Sequence, residues 1–117
     1  MGHVYVTARF FDQARQRSVE TEALVDTGAT FTVLPRAMAE ELNLPTDGTT
    51  PVDSASGELD LPSSWLFVEI RGREGPVKVL ISDYMSQALI GVTTLEVLSL
   101  GVDPSRGELR PIRALLY

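Results

Sequence analysis

The sequence predicts an all-β domain that closes on itself as a barrel or sandwich, with one or two short helices. Three observations carry this expectation. Early residues alternate in the strand period: Val4, Val6 and Phe10 are apolar, with Tyr5, Thr7 and Arg9 between them. Later, residues 65–70 and 77–81 form two β-rich runs whose centres, 66–68 and 79–81, are continuously apolar, the mark of a sheet buried on both faces. Finally, the helix-forming stretches are short and widely separated.

Taken in order, a first strand covers residues 4–10, and residues 11–16 break the alternation as a turn. Residues 18–25 return as a strand with Val19, Thr21, Ala23 and Val25 on one face. Residues 31–34 are aromatic and β-branched and predict a short strand. Pro35 then suits a first helical position, and residues 36–42 hold strong helix formers with Met38 and Leu42 on one side. Asn43 and Pro45 end that helix. Residues 46–51 are turn-forming, and residues 52–61 read as a hairpin with small residues at its tip. The runs at 65–70 and 77–81 form another hairpin through residues 71–76, with Trp65 expected in the core or supporting the preceding hairpin. Residues 82–87 read as a loop. A second helix is expected from Thr93, with Thr93 and Glu96 as a capping box, Leu95, Leu98 and Val97 facing inward, and Gly101 as its stop. Residues 102–109 make a turn between short strands, and residues 112–117 are apolar, a hazard for an exposed strand unless it is covered or paired.

Composition narrows the function classes. The 117 residues suit one domain, with 44% hydrophobic and 22% charged residues and apolar runs far too short to span a bilayer. A net charge of −6 with scattered Lys and Arg argues against a nucleic-acid surface. Arg9, Arg15 and Arg17 are the densest basic group and read as a solvated face beside the first turn. With no cysteine and one histidine, His3, the chain offers neither thiolate chemistry, a Ser-His-Asp triad nor ligands at metal-site spacing, so no metal and no cofactor is expected. No secretory signal is visible, which makes a cytoplasmic location the expectation.

The chemistry concentrates at Ala23-Leu24-Val25-Asp26-Thr27-Gly28-Ala29. A carboxylate delivered by an apolar strand into a hydroxyl and a glycine is costly unless it is hydrogen-bonded or paired, which marks Asp26 as a candidate site residue. Asp26-Thr27-Gly28-Ala29 after an apolar strand, with Ala88-Leu89-Ile90-Gly91 later and a helix behind it, resembles the retropepsin-like branch of the aspartic proteases, and the match runs roughly from Val4 to Leu109. The resemblance implies a retropepsin-like barrel and an endopeptidase acting on extended peptide or protein substrates. It makes Asp26 the catalytic carboxylate, Thr27, Gly28 and Ala29 its loop, Leu89, Ile90 and Gly91 the support of that loop, and Ser54, Ala55, Ser56 and Gly57 the tip of a substrate-covering flap.

Carboxylate-driven peptide hydrolysis needs one group to take a proton from water and a second to polarise the carbonyl. The chain has one Asp-Thr-Gly and no internal repeat, so the resemblance implies a homodimer with Asp26 of each subunit at a twofold axis. Leu115, Leu116 and Tyr117, with residues 4–6, are candidates for a sheet shared between subunits. Viral relatives commonly carry an acid after Asp-Thr-Gly-Ala and a polar or basic residue after the later glycine. Here Thr30-Phe31 and Val92-Thr93 stand instead, which suggests an apolar replacement of that ion pair. The competing reading is a retropepsin-like module that dimerises or binds peptide without cleaving it. A further alternative is a strand-end turn in an unrelated sandwich.

Overall fold

A computed structural model describes residues 3–113. Nine strands and two short helices are seen among them: β1 (Val4–Phe11), β2 (Ser18–Val25), β3 (Thr32–Pro35), α1 (Arg36–Glu41), β4 (Thr49–Ser54), β5 (Gly57–Ile70), β6 (Arg73–Ser82), β7 (Leu89–Ile90), α2 (Val92–Leu98), β8 (Leu100–Asp103) and β9 (Glu108–Pro111). The chain is all-β, as its strand periodicity predicts. Leu115, Leu116 and Tyr117 lie outside the described residues.

The main sheet runs β1-β2-β7-β3-β6-β5-β4, and β1 also pairs with β5. Ala8 to Phe11 of β1 face Ile70 to Phe67 of β5, so six strands form a closed ring, with β4 attached outside it as an edge. Closure explains the continuous apolar runs. Val79, Leu80 and Ile81 are all buried, because the ring covers one face and further elements cover the other. Alternation accounts for β1, where Val6, Ala8 and Phe10 enter the core and Tyr5, Thr7 and Arg9 face out. Phe10, Leu34, Leu66, Val68, Ile70 and Ile90 are fully buried at its centre. Burying side chains of this size contributes about 1.5–3 kcal/mol each before entropy is counted.

Several local expectations change. Residues 57–70 are one strand, not two: its first part pairs with β4 and its second with β6, the change of partner falling at Pro62 and Ser63. Trp65 points outward and is 49% exposed, so it is not core. The β5–β6 connection is a two-residue turn, Arg71 and Gly72 with φ of 56° and 78°, the mirror-image geometry that matches strand twist. Pro76 is tolerated within β6 because β3 pairs only with Val79 to Ser82, which leaves that edge open.

The helices differ at their ends. Pro35 closes β3 and precedes α1 in an extended conformation rather than opening it. α2 begins after Gly91 with no side-chain cap, and it ends at Ser99 in the left-handed region, while Gly101 belongs to β8. Leu95 and Leu98 are buried, but Val97 is exposed. The C-terminus of α2 is served instead by Arg73 from β6, whose guanidinium donates to the Leu98 carbonyl at 3.1 Å, where a cation complements the helix dipole.

The three arginines near the first turn are exposed, and two of them are paired. Arg9 pairs with Glu20 at 2.8 Å, and Arg15 pairs with Glu74 while its guanidinium lies 4.3 Å from the Phe67 ring centre. No helix among the described residues is long and apolar enough to cross a membrane.

Candidate active site

β2 delivers Asp26 to the mouth of the barrel. Leu24 and Val25 pair in parallel with Leu89 and Ile90 of β7, and the Asp26 N–H donates to the Ile90 carbonyl at 2.9 Å. β7 also pairs with β3 on its other side, Val33 facing Leu89, so the segment between β2 and β3 must loop over a short strand wedged between them. That loop holds Asp26, Thr27, Gly28 and Ala29. The Ala29 N–H returns to the Asp26 carbonyl at 3.1 Å, and the Gly28 N–H donates to Asp26 Oδ1 at 2.9 Å. A Cβ at Gly28 would sit 3.2 Å from that same carboxylate oxygen, closer than side chains usually come. The half-buried Asp26 therefore has one oxygen held by backbone.

Loop and helix are joined by a second set of bonds. The Val92 N–H donates to the Ala29 carbonyl at 2.8 Å, and Thr93 donates to the Thr30 carbonyl through both its N–H at 3.1 Å and its hydroxyl at 2.7 Å. Thr93 is thus spent on the loop and not on a capping box. Beneath it, the Gly91 N–H donates to Thr32 Oγ1 at 3.1 Å, and Thr32 and Thr94 share a buried hydroxyl bond of 2.6 Å. The expected apolar replacement of an ion pair is corrected: hydroxyls and backbone bonds join the loop to α2. At the buried Thr32–Thr94 bond beneath, neutral partners avoid the desolvation that a charged pair incurs.

Gly91 is fixed by contact. An added Cβ would lie 2.4 Å from the Phe31 carbonyl carbon and 2.5 Å from its oxygen, both rigid backbone atoms. Leu89, Ile90 and Gly91 thus sit against the loop, with Ile90 and Gly91 buried.

A groove of about 560 Å³ runs from this loop to the β4–β5 hairpin. Asp26, Gly28, Ala29, Leu89 and Ser54 line it, together with Phe31, Val33, Val52, Asp53, Leu61 and Leu80. The hairpin tip is separate from that lining. Ala55, Ser56 and Gly57 stand exposed beyond it, and residues 51–54 of β4 form the wall. Ser54 Oγ accepts from the Ser56 N–H at 3.3 Å and donates to the Gly57 carbonyl at 2.8 Å, and Gly57 has a φ of +116° that favours glycine. Thr27 turns to the opposite side, into a hollow of about 330 Å³ shared with His3, Val4, Val25, Val102, Pro104 and Gly107.

Sequence reasoning missed Thr32, Thr93, Thr94 and Asp53. The threonines act through partners some sixty positions away, which no local pattern discloses. Asp53 was visible only as one residue of a hairpin. Among the described residues, no group of three or more His, Cys, Asp or Glu is gathered as a metal site.

No curated protein matches the chain. A family model described as aspartyl protease matches residues 6–94, three quarters of the sequence and the whole span from β1 into α2 that builds the loop, the groove and the hairpin. The chain therefore belongs to the aspartyl protease family.

Proposed function

We propose that this protein is an endopeptidase that hydrolyses extended peptides, with Asp26 of two identical subunits forming the catalytic pair. The observation that carries this reading is the Asp26 carboxylate: one oxygen is fixed by the Gly28 N–H, and the residue lines an open groove with apolar walls. A groove of this kind takes up side chains of a strand-like peptide and presents its backbone to the acid.

Two facing carboxylates cannot both ionise at close range, so the pair holds one proton between them. The ionised member removes a proton from water as its oxygen attacks the scissile carbonyl carbon, and the protonated member gives its proton to the carbonyl oxygen. The resulting diol collapses as the carboxyl that took the water proton gives it to the amide nitrogen, the other carboxylate takes a proton from a diol hydroxyl and the C–N bond breaks, which leaves one proton on the pair. Thr27, exposed on the same loop, would meet the loop of the partner subunit. Residues 1–117 then act as one catalytic domain. A chain with no cysteine folds without an oxidising compartment, in keeping with a cytoplasmic location.

The test is mass spectrometry of a mixed peptide pool with wild type and Asp26→Asn, beside a sizing measurement. Wild type is expected to cleave as a dimer, and Asp26→Asn to stay folded and dimeric with hydrolysis lost. An Asn variant that cleaves as fast as wild type overturns the assignment. Tight binding of an uncleavable peptide mimic with no cleavage across acid to neutral pH would favour a peptide-binding module.

A further inference from the structure

The groove has two charged lining residues, Asp26 and Asp53. Asp26 belongs to the chemistry proposed above, but Asp53 has no part in it. It lies on β4, the outer edge of the sheet, where no strand among the described residues covers its free side. Its cross-strand partner on β5 is Glu58, another exposed acid, and like charges opposite each other are destabilising. Among the described residues, no cation lies within salt-bridge distance of Asp53. The sequence supplies none nearby, because no Lys, Arg or His occurs between Arg36 and Arg71. Lys78, from the β6 side of the groove, is placed over the Phe31 ring at 4.7 Å.

We infer that Asp53 is a specificity-determining residue that selects a Lys or Arg side chain at one position of the extended peptide bound in the groove. This rests on the reading of the groove as a peptide site. The remaining walls are apolar, with Phe31, Val33, Leu61 and Leu80 among them, so they rank substrates by shape and area. One unneutralised carboxylate on the wall ranks them by charge. A cationic side chain reaching it forms a charge-assisted hydrogen bond and relieves the Asp53–Glu58 repulsion, whereas an acidic one adds a third like charge. Asp53 is exposed, so the preference is moderate and weakens with salt.

The experiment uses full-length wild type, Asp53→Asn, Asp53→Lys and, as a control for net charge away from the groove, Glu96→Gln. Short peptides of one apolar framework carry Lys, Gln or Glu at each scanned position. Cleavage is measured as kcat/KM, and binding is measured by fluorescence polarisation on reduced-amide copies that cannot be hydrolysed. Wild type and Glu96→Gln are expected to favour Lys over Glu at one position by about two- to fivefold. Asp53→Asn is expected to remove that preference, and so is Asp53→Lys, whose ammonium pairs with Glu58 across the strands.

Equal handling of Lys, Gln and Glu by wild type at every position overturns the inference, as does a preference that survives in Asp53→Lys. An Asp53→Asn variant that only self-associates, with its peptide preference unchanged, also overturns it and makes the acid a guard on an open strand edge. Charge-selective binding without cleavage sustains the Asp53 assignment and removes the hydrolytic one. Cleavage without charge selection does the opposite, and absence of binding by any peptide removes both.

Discussion

Around Asp26, two neighbours with no charge carry the geometry. Thr32 accepts the buried Gly91 N–H and shares a hydroxyl bond with Thr94. Thr32→Val is expected to cost about 1–3 kcal/mol, since it leaves that N–H without a partner. Thr94→Val leaves the Gly91 bond in place and should cost about 1 kcal/mol. Urea denaturation of both single variants and the double variant checks the order, and the double is expected to be non-additive because the two hydroxyls share one bond. Gly91→Ala should cost about 2–3 kcal/mol or fail to fold, because its Cβ would meet the Phe31 backbone. Asp26, Gly28 and Ala29 were legible in the sequence because their arrangement is local: the carboxylate is bonded by an amide two residues on. Thr32 and Thr94 were not, because a buried threonine reads as an ordinary strand or helix residue until its partner is known.

The β4–β5 hairpin forms one wall of the groove, and its base is built from polar groups. The Ser63 N–H donates to the Gly48 carbonyl at 3.1 Å, the Asp47 N–H donates to the Ser63 carbonyl at 2.7 Å, and the Ser64 hydroxyl donates to the Pro45 carbonyl. Ser64 is almost fully buried, so Ser64→Ala should remove about 1 kcal/mol and loosen the hairpin. Hydrogen exchange checks this: amides of residues 49–61 should exchange faster in the variant, with those of β1 and β2 unchanged. The hairpin was legible from its turn residues, but its continuity with the barrel wall was not. Pro62-Ser63-Ser64 has the composition of a break, yet Pro62 pairs opposite Thr49 in the hairpin and both serines are consumed at its base. The end of α2 was misplaced for a similar reason. Gly101 is the more obvious stop by type, but Ser99 takes the left-handed conformation and Arg73 reaches the freed carbonyls.

At the level of the whole molecule, the ring closes where β1 meets β5, and this long-range pairing accounts for apolar runs that alternation alone leaves unexplained. Outside the ring, surface ion pairs link distant elements and set part of the acid stability. The Arg36 guanidinium donates to Asp83 at 2.7 Å and holds that carboxyl below the usual carboxylate range, and Ser105 does the same for Asp103 through its hydroxyl. A carboxyl lowered in the folded state contributes stability that is fully present above its unfolded value of about 4 and is lost as pH falls through the lowered one. Melting temperature should therefore drop as the medium is acidified below about pH 4. Asp83→Asn should melt lower at neutral pH and show a shallower acid decline, which thermal scans across pH will test.

The outward-facing Trp65 has one more consequence. It is the single tryptophan of the chain, half in water, and it stands on the same stave as the hairpin, just past the serines that pin its base. A tilt of the hairpin that strains this stave would change the solvation of the indole, so its native emission is a built-in gauge of hairpin movement that needs no attached dye.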